Sequence, residues 1–522
     1  MKTNKFFTII ILLFGFVLIA QTGKTQTQMP IFQRLFGSAG LGNDVKQTPD
    51  GGYVITGYVN DEVCLIKTDA DGIKLWSKTY GGTGIDVGYS IELTSDGGYI
   101  IAGETSSFPT LIYFEDVYVI KTDASGNLEW SRTFSSDRDD YSYSVKQTSD
   151  GGYVILGYTE GFGSIFADIW IIKLNSNGNL QWSKMYDGGD TDYGLSIQQT
   201  NDHGFIITGW HGGYIGAGNY DLCLIKTDSL GNLVWSKLYG GPLADGGYSV
   251  LQTQDGGFIA CGYTESFVNT QYDDNFYVVK TDANGNLEWS KTIGNGNWER
   301  SYSMSQTSDG GYAIFGMSGD STDWDDDACL VKIDANGSIL WNKLIGLSTT
   351  NGDYFYSGMQ TSDGGFIATG FSQSKLYLVK AEWSGTSGCD EENAGMISST
   401  PATVVNNVVL QTVDVTDSVV VNTPATIVGS ATPTQQICYS IITSVTEENI
   451  GENQISLFPN PTIGNLIITN AQGFTFNLYD LSSRLIFSKK IDKQEEIINL
   501  NVSSGIYLYD LNIKKGKIVV SN

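Results

Sequence analysis

Histidine is nearly absent from this chain: 522 residues contain only His203 and His211. A histidine-based zinc cage is therefore excluded, and a nucleophilic triad would depend on a single candidate base, His211. Basic charge is also scarce. Thirty Lys and Arg stand against 57 Asp and Glu, a net charge of −27, which excludes the cationic footprint of a nucleic-acid binder and electrostatic docking on anionic lipid. Proline numbers 9 while glycine reaches 63, the balance of many short strands joined by glycine turns. The apolar run Phe6–Ala20 is too short for a comfortable membrane span. Lys2 and Lys5 precede it and polar Gln21-Thr22-Gly23-Lys24 follows. Residues 1–20 therefore read as a secretory signal, with no transmembrane segment left after its removal.

Cysteine numbers six. Cys64, Cys223 and Cys329 recur at one repeat position, and Cys261 lies in another strand. All four read as buried apolar thiols. Cys389 and Cys438 flank a segment rich in Thr, Ser, Val and Asn, and in an exported protein a disulfide between them is expected.

What the chain has in abundance is internal repetition. The turn Asp-Gly-Gly begins at Asp50, Asp96, Asp150, Asp255, Asp309 and Asp363, with Asp202-His-Gly as a variant, giving seven copies 46 to 54 residues apart. Seven residues after each Asp stands a glycine, from Gly57 to Gly370. A lysine recurs further on (Lys67, Lys121, Lys173, Lys226, Lys280, Lys332, Lys380), and in six copies a tryptophan follows, from Trp76 to Trp341. Within one copy, Tyr143–Thr148, Tyr153–Tyr158, Ile169–Leu174 and Leu180–Tyr186 are four strands, a to d, punctuated by Gly and Asn turns. Four antiparallel strands per repeat make a propeller blade. The fold class is all-β: a seven-bladed β-propeller over residues 31–383. The seventh copy stops after strand c, with no Thr-Asp-x-x-Gly-Asn turn and no strand d. The missing strand is expected at residues 31–36, a latch that places Phe32 at the Trp position and Arg34 at that of Lys78. The glycine in strand b is expected to admit the neighbouring blade.

The turn and Trp pattern, as in Thr122-Asp-Ala-Ser-Gly-Asn-Leu-Glu-Trp130, resembles the tryptophan-docking repeat of quinoprotein-like propellers. The chain lacks the eight blades and adjacent cysteines of the cofactor-binding members, so the resemblance implies fold and no redox cofactor. The repeated Trp reads as packing between blades, and the repeated Lys as the partner of repeat acids.

Residues 384–448 read as a β linker, and 449–522 as a separate small β-sandwich. Its motifs run Phe458-Pro459-Asn460-Pro461, then Leu478-Tyr-Asp-Leu481, then Ser504-Gly505-Ile-Tyr507-Leu-Tyr509, then a basic last strand. They resemble, in order, the type A C-terminal sorting domain read by the type IX secretion system of Bacteroidota. The resemblance implies that machinery as a partner, and a secreted or outer-surface location.

Function is expected on the rim formed by the d–a and b–c loops, since variable loops on a rigid scaffold are where binding sits. The candidate ligand-binding residues are Trp210, His211, Tyr214, Tyr272, Asp273, Trp324 and Asp325, aromatics beside amides and acids that suit a glycan or protein ligand. A hydrolase using rim carboxylates is the alternative. Acids near the start of strand a (Asp86, Asp140, Asp192, Asp245, Glu299, Asp353) and before strand c could form a negative funnel or serve the turns. No cofactor is implied, and Asp323–Asp327 is a candidate calcium loop without the EF-hand order.

Overall fold

This computed structural model describes residues 30–441 except 38, 109–113, 213–219, 269–272, 320–325, 347–351, 389–390, 409, 424–425 and 430–433, and also the strands of a C-terminal unit between 456 and 520. The expected signal at 1–20 lies outside the described residues. The chain divides into two units, 1–442 and 443–522.

The first unit is a ring of seven antiparallel sheets. Blade three shows the plan: Asp140–Gln147 is strand a, Tyr153–Thr159 b, Asp168–Leu174 c and Leu180–Asp187 d. Strands b and c are buried on both pleat faces, as blades stacked on both sides require.

Each a–b turn is built the same way. In blade three the Thr148 hydroxyl donates to Asp150 at 2.5 Å, and the same carboxylate accepts the Gly152 N–H at 2.9 Å. Buried Lys173 reaches Asp150 at 2.9 Å and also donates to the Leu174 carbonyl. Equivalent pairs join Lys67 to Asp50, Lys121 to Asp96, Lys226 to Asp202, Lys280 to Asp255, Lys332 to Asp309 and Lys380 to Asp363. The recurring lysine thus clamps its own blade's turn, as its repetition suggested.

The tryptophans join one blade to the next. A Cβ added to Gly231 would lie 2.8 Å from the Trp182 ring of the preceding blade, and Gly231 already sits at φ +75°. The Tyr186 hydroxyl donates to the Gly231 carbonyl at 2.6 Å. Trp76, Trp130, Trp235, Trp289 and Trp341 meet the corresponding turn glycine of the following blade.

Ring closure follows the same rule. Pro30–Phe36 pairs antiparallel with strand c of blade seven, Phe32 opposite Lys380. Phe32 crowds Gly72 of blade one, as a Trp does elsewhere, and Arg34 donates to the Asp71 carbonyl at 2.6 Å. One expectation is corrected. Blade seven keeps its c–d turn: the Glu382 N–H donates to the Thr386 carbonyl, and Gly385, at φ +84°, receives the Trp341 ring. The Trp docking contact demands that glycine even where no strand d follows.

The segment read as a linker is woven into the ring. Glu391–Glu392 adds a fifth strand to blade six, Ile397–Ser399 to blade five, Val404–Asn407 to four, Gln411–Asp414 to three, Val420–Asn422 to two and Ile427–Gly429 to one. Thr434–Ile441 then pairs with the latch strand in blade seven. The belt runs once around the ring, opposite to blade order. Lys184 of blade three pairs with Asp414 of the belt at 2.7 Å.

Cys64, Cys223, Cys261 and Cys329 are free and buried. Cys438 lies on the last belt strand, but its side chain and all of Cys389 are outside the described residues, and the expected disulfide with them.

The C-terminal unit has two antiparallel sheets. One holds Ser456–Phe458, Asn465–Thr469 and Glu495–Asn499. The other holds Leu485–Lys490, Thr475–Tyr479, Gly505–Asp510 and Lys515–Val520. Leu466, Ile468, Phe476, Leu478, Ile491, Ile498 and Leu500 are its buried apolar residues among those described. Gly505 and Tyr507 fall in a strand, while Pro459, Asn460 and Pro461 are outside the described residues.

Candidate functional site

Strand a of every blade lines the central channel, and each carries a β-bulge near its start. The bulge explains the strand-b glycine. A Cβ on Gly157 would collide with the Tyr141 carbonyl and the backbone of Ser142, both in strand a of the same blade. The expectation of contact with the neighbouring blade is therefore corrected. A bulge re-aims the side chain that it ejects, and here that residue is Tyr89, Tyr143, Tyr248, Tyr302 or Tyr356 in five blades, Asn43 in blade one and Leu195 in blade four.

These residues line an open channel of about 840 Å³. Their rings, with those of strand b and of the start of strand a, form an unbroken series of contacts. Centroids are 4.9 Å apart for Tyr89–Tyr143, 6.0 Å for Tyr143–Tyr158, 4.4 Å for Tyr158–Tyr193 and 5.4 Å for Tyr193–Trp210. The series continues through Trp210–Tyr248 at 6.3 Å, Tyr248–Tyr302 at 5.2 Å and Tyr302–Tyr356 at 5.3 Å. All are half-buried. Arg300 lies over Tyr263 and Trp298 and pairs with buried Asp274 at 2.5 Å.

One step deeper lies a polar layer. Six blades place a serine there (Ser90, Ser144, Ser196, Ser249, Ser303, Ser357) and blade one places Asp44. Asp44 accepts from Ser357, from the Ile91 N–H and from Lys46. Burial opposes its ionisation, but Lys46 and Lys146 outweigh it and hold its carboxyl below the usual range. Lys146 also pairs with Glu92 at 2.9 Å.

Among the residues nominated from sequence, Trp210 takes part in this aromatic series, and its indole N–H has no acceptor among the described residues. His211 is buried behind it and bonded through Nδ1 to Asp192. Desolvation opposes its protonation, yet Asp192 raises its pKa on balance. Asp273 is half-buried beside Asp274. Tyr214, Tyr272, Trp324 and Asp325 lie outside the described residues. The bulged tyrosines were missed, although Tyr-Ser recurs at 89, 143, 248, 302 and 356. That repeat was the available signal.

The acids at the start of strand a do not line a funnel. Asp86, Asp140, Asp192, Asp245, Glu299 and Asp353 are fully buried. Several accept the N–H of the preceding d–a corner, as Asp86 does from Gly82 at 2.9 Å and Asp245 from Gly241 at 2.7 Å. Burial pushes Asp140 and Asp168 up to about 7. Glu104 bonds to Tyr89 at 3.1 Å and is raised to about 7, by burial first and then by Glu115 and Asp139. His203 occupies a turn at φ +64° and contacts Ser149. Among the described residues no group of three or more His, Cys, Asp or Glu is placed to hold a metal, and no helix is long and apolar enough to cross a membrane.

These features define a seven-bladed β-propeller. Residues 456–521 match the family described as "Secretion system C-terminal sorting domain", which marks the chain for type IX export. No curated protein matches it. Among solved structures, the WD40 β-propeller domain of Doa1 is similar at 12% identity over 67% of this chain and 97% of that one, with a TM-score of 0.44. The RRP9 WD40 repeats follow at 10% identity over 68% and 99%, with a TM-score of 0.45. PorZ, described as an essential bacterial surface component of the type-IX secretion system of Porphyromonas gingivalis, aligns at 9% identity over 94% of this chain and 100% of that one, with a TM-score of 0.18.

Proposed function

We propose that this protein is a secreted glycan-binding module whose ligand enters the channel mouth. The observation that carries the reading is the unbroken run of half-buried rings from Tyr89 to Tyr356 around an open channel. Aromatic rings offer flat apolar faces for the C–H faces of sugars, while phenol and serine hydroxyls meet the sugar hydroxyls. The net charge of −27 disfavours acidic polymers, so a neutral glycan fits best. Titrating the secreted chain with neutral oligosaccharides, followed by calorimetry and tryptophan fluorescence, should give saturable binding that Trp210→Ala or Tyr248→Ala weakens at least about tenfold, the scale of losing one buried aromatic anchor. Binding that both variants leave intact would remove the mouth from the proposal.

A second reading rests on Glu104. Its pKa of about 7, its Tyr89 partner and its acidic neighbours give it the poise of a general acid in glycoside hydrolysis. The same titrations discriminate: reducing ends that accumulate with the native chain and vanish with Glu104→Gln favour the hydrolase, and stable binding without product favours the module.

A further inference from the structure

Strand a of blade six, Trp298–Gln306, departs from the repeat at the channel mouth. In the six blades with an acid at the start of strand a, the next residue is Val87, Tyr141, Tyr193, Gly246, Arg300 or Tyr354. Arg300 is the one cation in that series. Its neighbour prepares its place: a Cβ added to Gly246 would lie 2.4 Å from the Tyr263 ring, so it is a glycine that lets this ring lie across the start of blade five. The Arg300 guanidinium carbon then sits 4.6 Å from the Tyr263 centroid and 5.3 Å from that of Trp298.

This arrangement leaves hydrogen-bond donors over. Nε of Arg300 donates to buried Asp274 at 2.5 Å. Nη1 and Nη2 have no acceptor among the described residues, and the side chain is 30% exposed. A guanidinium is a planar fork of N–H groups, and one held at Nε and against two rings keeps its other donors fixed in direction. They stand beside the aromatic series. Tyr248 and Tyr302, which line the channel, are within electrostatic reach of Arg300, and Trp210 lies 6.2 Å from the same Tyr263 ring. Acceptors are close as well: half-buried Glu265 interacts with both Arg300 and Asp274, and half-buried Asp273 adds to the field at Asp274. Three carboxyl groups thus stand around one guanidinium, and an anionic ligand is opposed even though the fork is open to it.

We propose that this corner of the mouth is a subsite for an acetamido group, so that the neutral glycan carries an N-acetylated sugar, with Arg300 as the residue that selects it. The subsite rests on the reading of the mouth as a glycan site. An amide matches the corner on both sides: its carbonyl oxygen accepts from the open N–H fork, its N–H donates to Asp273 or Glu265, and its methyl group covers aromatic carbon. A plain hydroxyl offers one oxygen for both tasks and no methyl group. A uronic carboxylate would fill the fork but add a fourth negative charge to the corner. The rings supply affinity common to all sugars, and the fork supplies the discrimination between them.

An array of matched oligosaccharides, in gluco and galacto series, tests the assignment on the full secreted chain. The members of each set differ only in carrying an acetamido group, a hydroxyl or a uronic carboxylate. Within the sets that bind, the acetamido member should bind at least about tenfold more tightly than the hydroxyl member, the scale of a hydrogen bond from a charged donor. Arg300→Lys keeps a cation against Asp274 but lacks the planar fork, and should reduce that ratio to about threefold or less. Arg300→Met combined with Asp274→Asn removes both charges together and should erase it. Should the double variant fail to fold, Arg300→Lys decides. Equal binding of the two members by the native chain, or a ratio that survives in every folded variant, overturns the subsite and leaves the glycan site standing. A uronic member that binds most tightly overturns it too, because the fork then takes an anion. Binding to no member of the array removes the glycan reading and the subsite with it.

Discussion

At the residue scale, a few side chains repeated seven times carry most of the order. The lysine of strand c and the tryptophan of strand d were both legible, because recurrence once per blade marks architecture. The bulged tyrosines were not. Strict alternation along strand a predicts the wrong direction for Tyr143, and only the bulge opposite Gly157 turns it into the channel. The acids at the start of strand a left two readings open, since sequence does not distinguish a carboxylate facing solvent from one folded back onto a corner N–H. One test belongs here. Gly231→Ala adds a methyl 2.8 Å from the Trp182 ring at a φ of +75°. It should destabilise the ring by about 1–3 kcal/mol through left-handed strain and overpacking, visible as a lower midpoint in urea, whereas Gly163→Ala, at φ +85° in open space, should cost only the backbone term.

Elements bring in connectivity. The latch was readable because Ile31–Phe36 copies the spacing of a strand d that the seventh repeat lacks, and the structure pairs it where that arithmetic requires. The belt was legible only in part. Val408–Val415 and Ser418–Val421 read as strands and cover Gln411–Asp414 and most of Val420–Asn422. Nothing in the sequence names their partners, most belt strands are only two to four residues long, and several present Val or Ile to solvent, as Ile397 and Val404 do. Such residues look like a linker until their pairing partners are known. Removing residues 30–36 should be severe. It deletes strand d of blade seven, exposes the edge of strand c and strands the last belt strand, which pairs with no other strand among the described residues. The expected outcome is a melting temperature lower by about 10 °C or more, given that the variant loses several fully buried side chains worth about 1.5–3 kcal/mol each. An unchanged value would contradict the closure.

For the whole molecule, two sets of carboxylates oppose each other in pH. At Asp50, Asp96, Asp150, Asp202 and Asp255, burial raises the pKa, but the Thr hydroxyl, the Lys and a backbone N–H prevail and hold it at about 2. At Asp309 the Thr307 hydroxyl is the largest influence, to the same result. A depressed carboxylate stabilises the fold above its ordinary range near 3.8, and that stability is lost as pH falls toward 2. These groups are more than half exposed, so after screening each contributes about 0.2–1 kcal/mol. Asp140 and Glu104, raised to about 7 mainly by burial, act in the other direction. The fold holds their protons, and stability declines as pH climbs from about 4 through 7. The melting temperature should therefore peak at about pH 4 and fall on both sides. A maximum above pH 8 would show that the buried acids are not protonated in the fold.

The belt leaves blade seven, crosses every junction between wedges once and returns to blade seven, against the latch. It works as a hoop works on a cask: no stave can swing outward without dragging a strand that belongs to its neighbours' circuit. Prying the ring apart at any single joint therefore meets resistance distributed around the full circumference. Both ends of the hooped segment meet in one blade, where the latch strand lies between them.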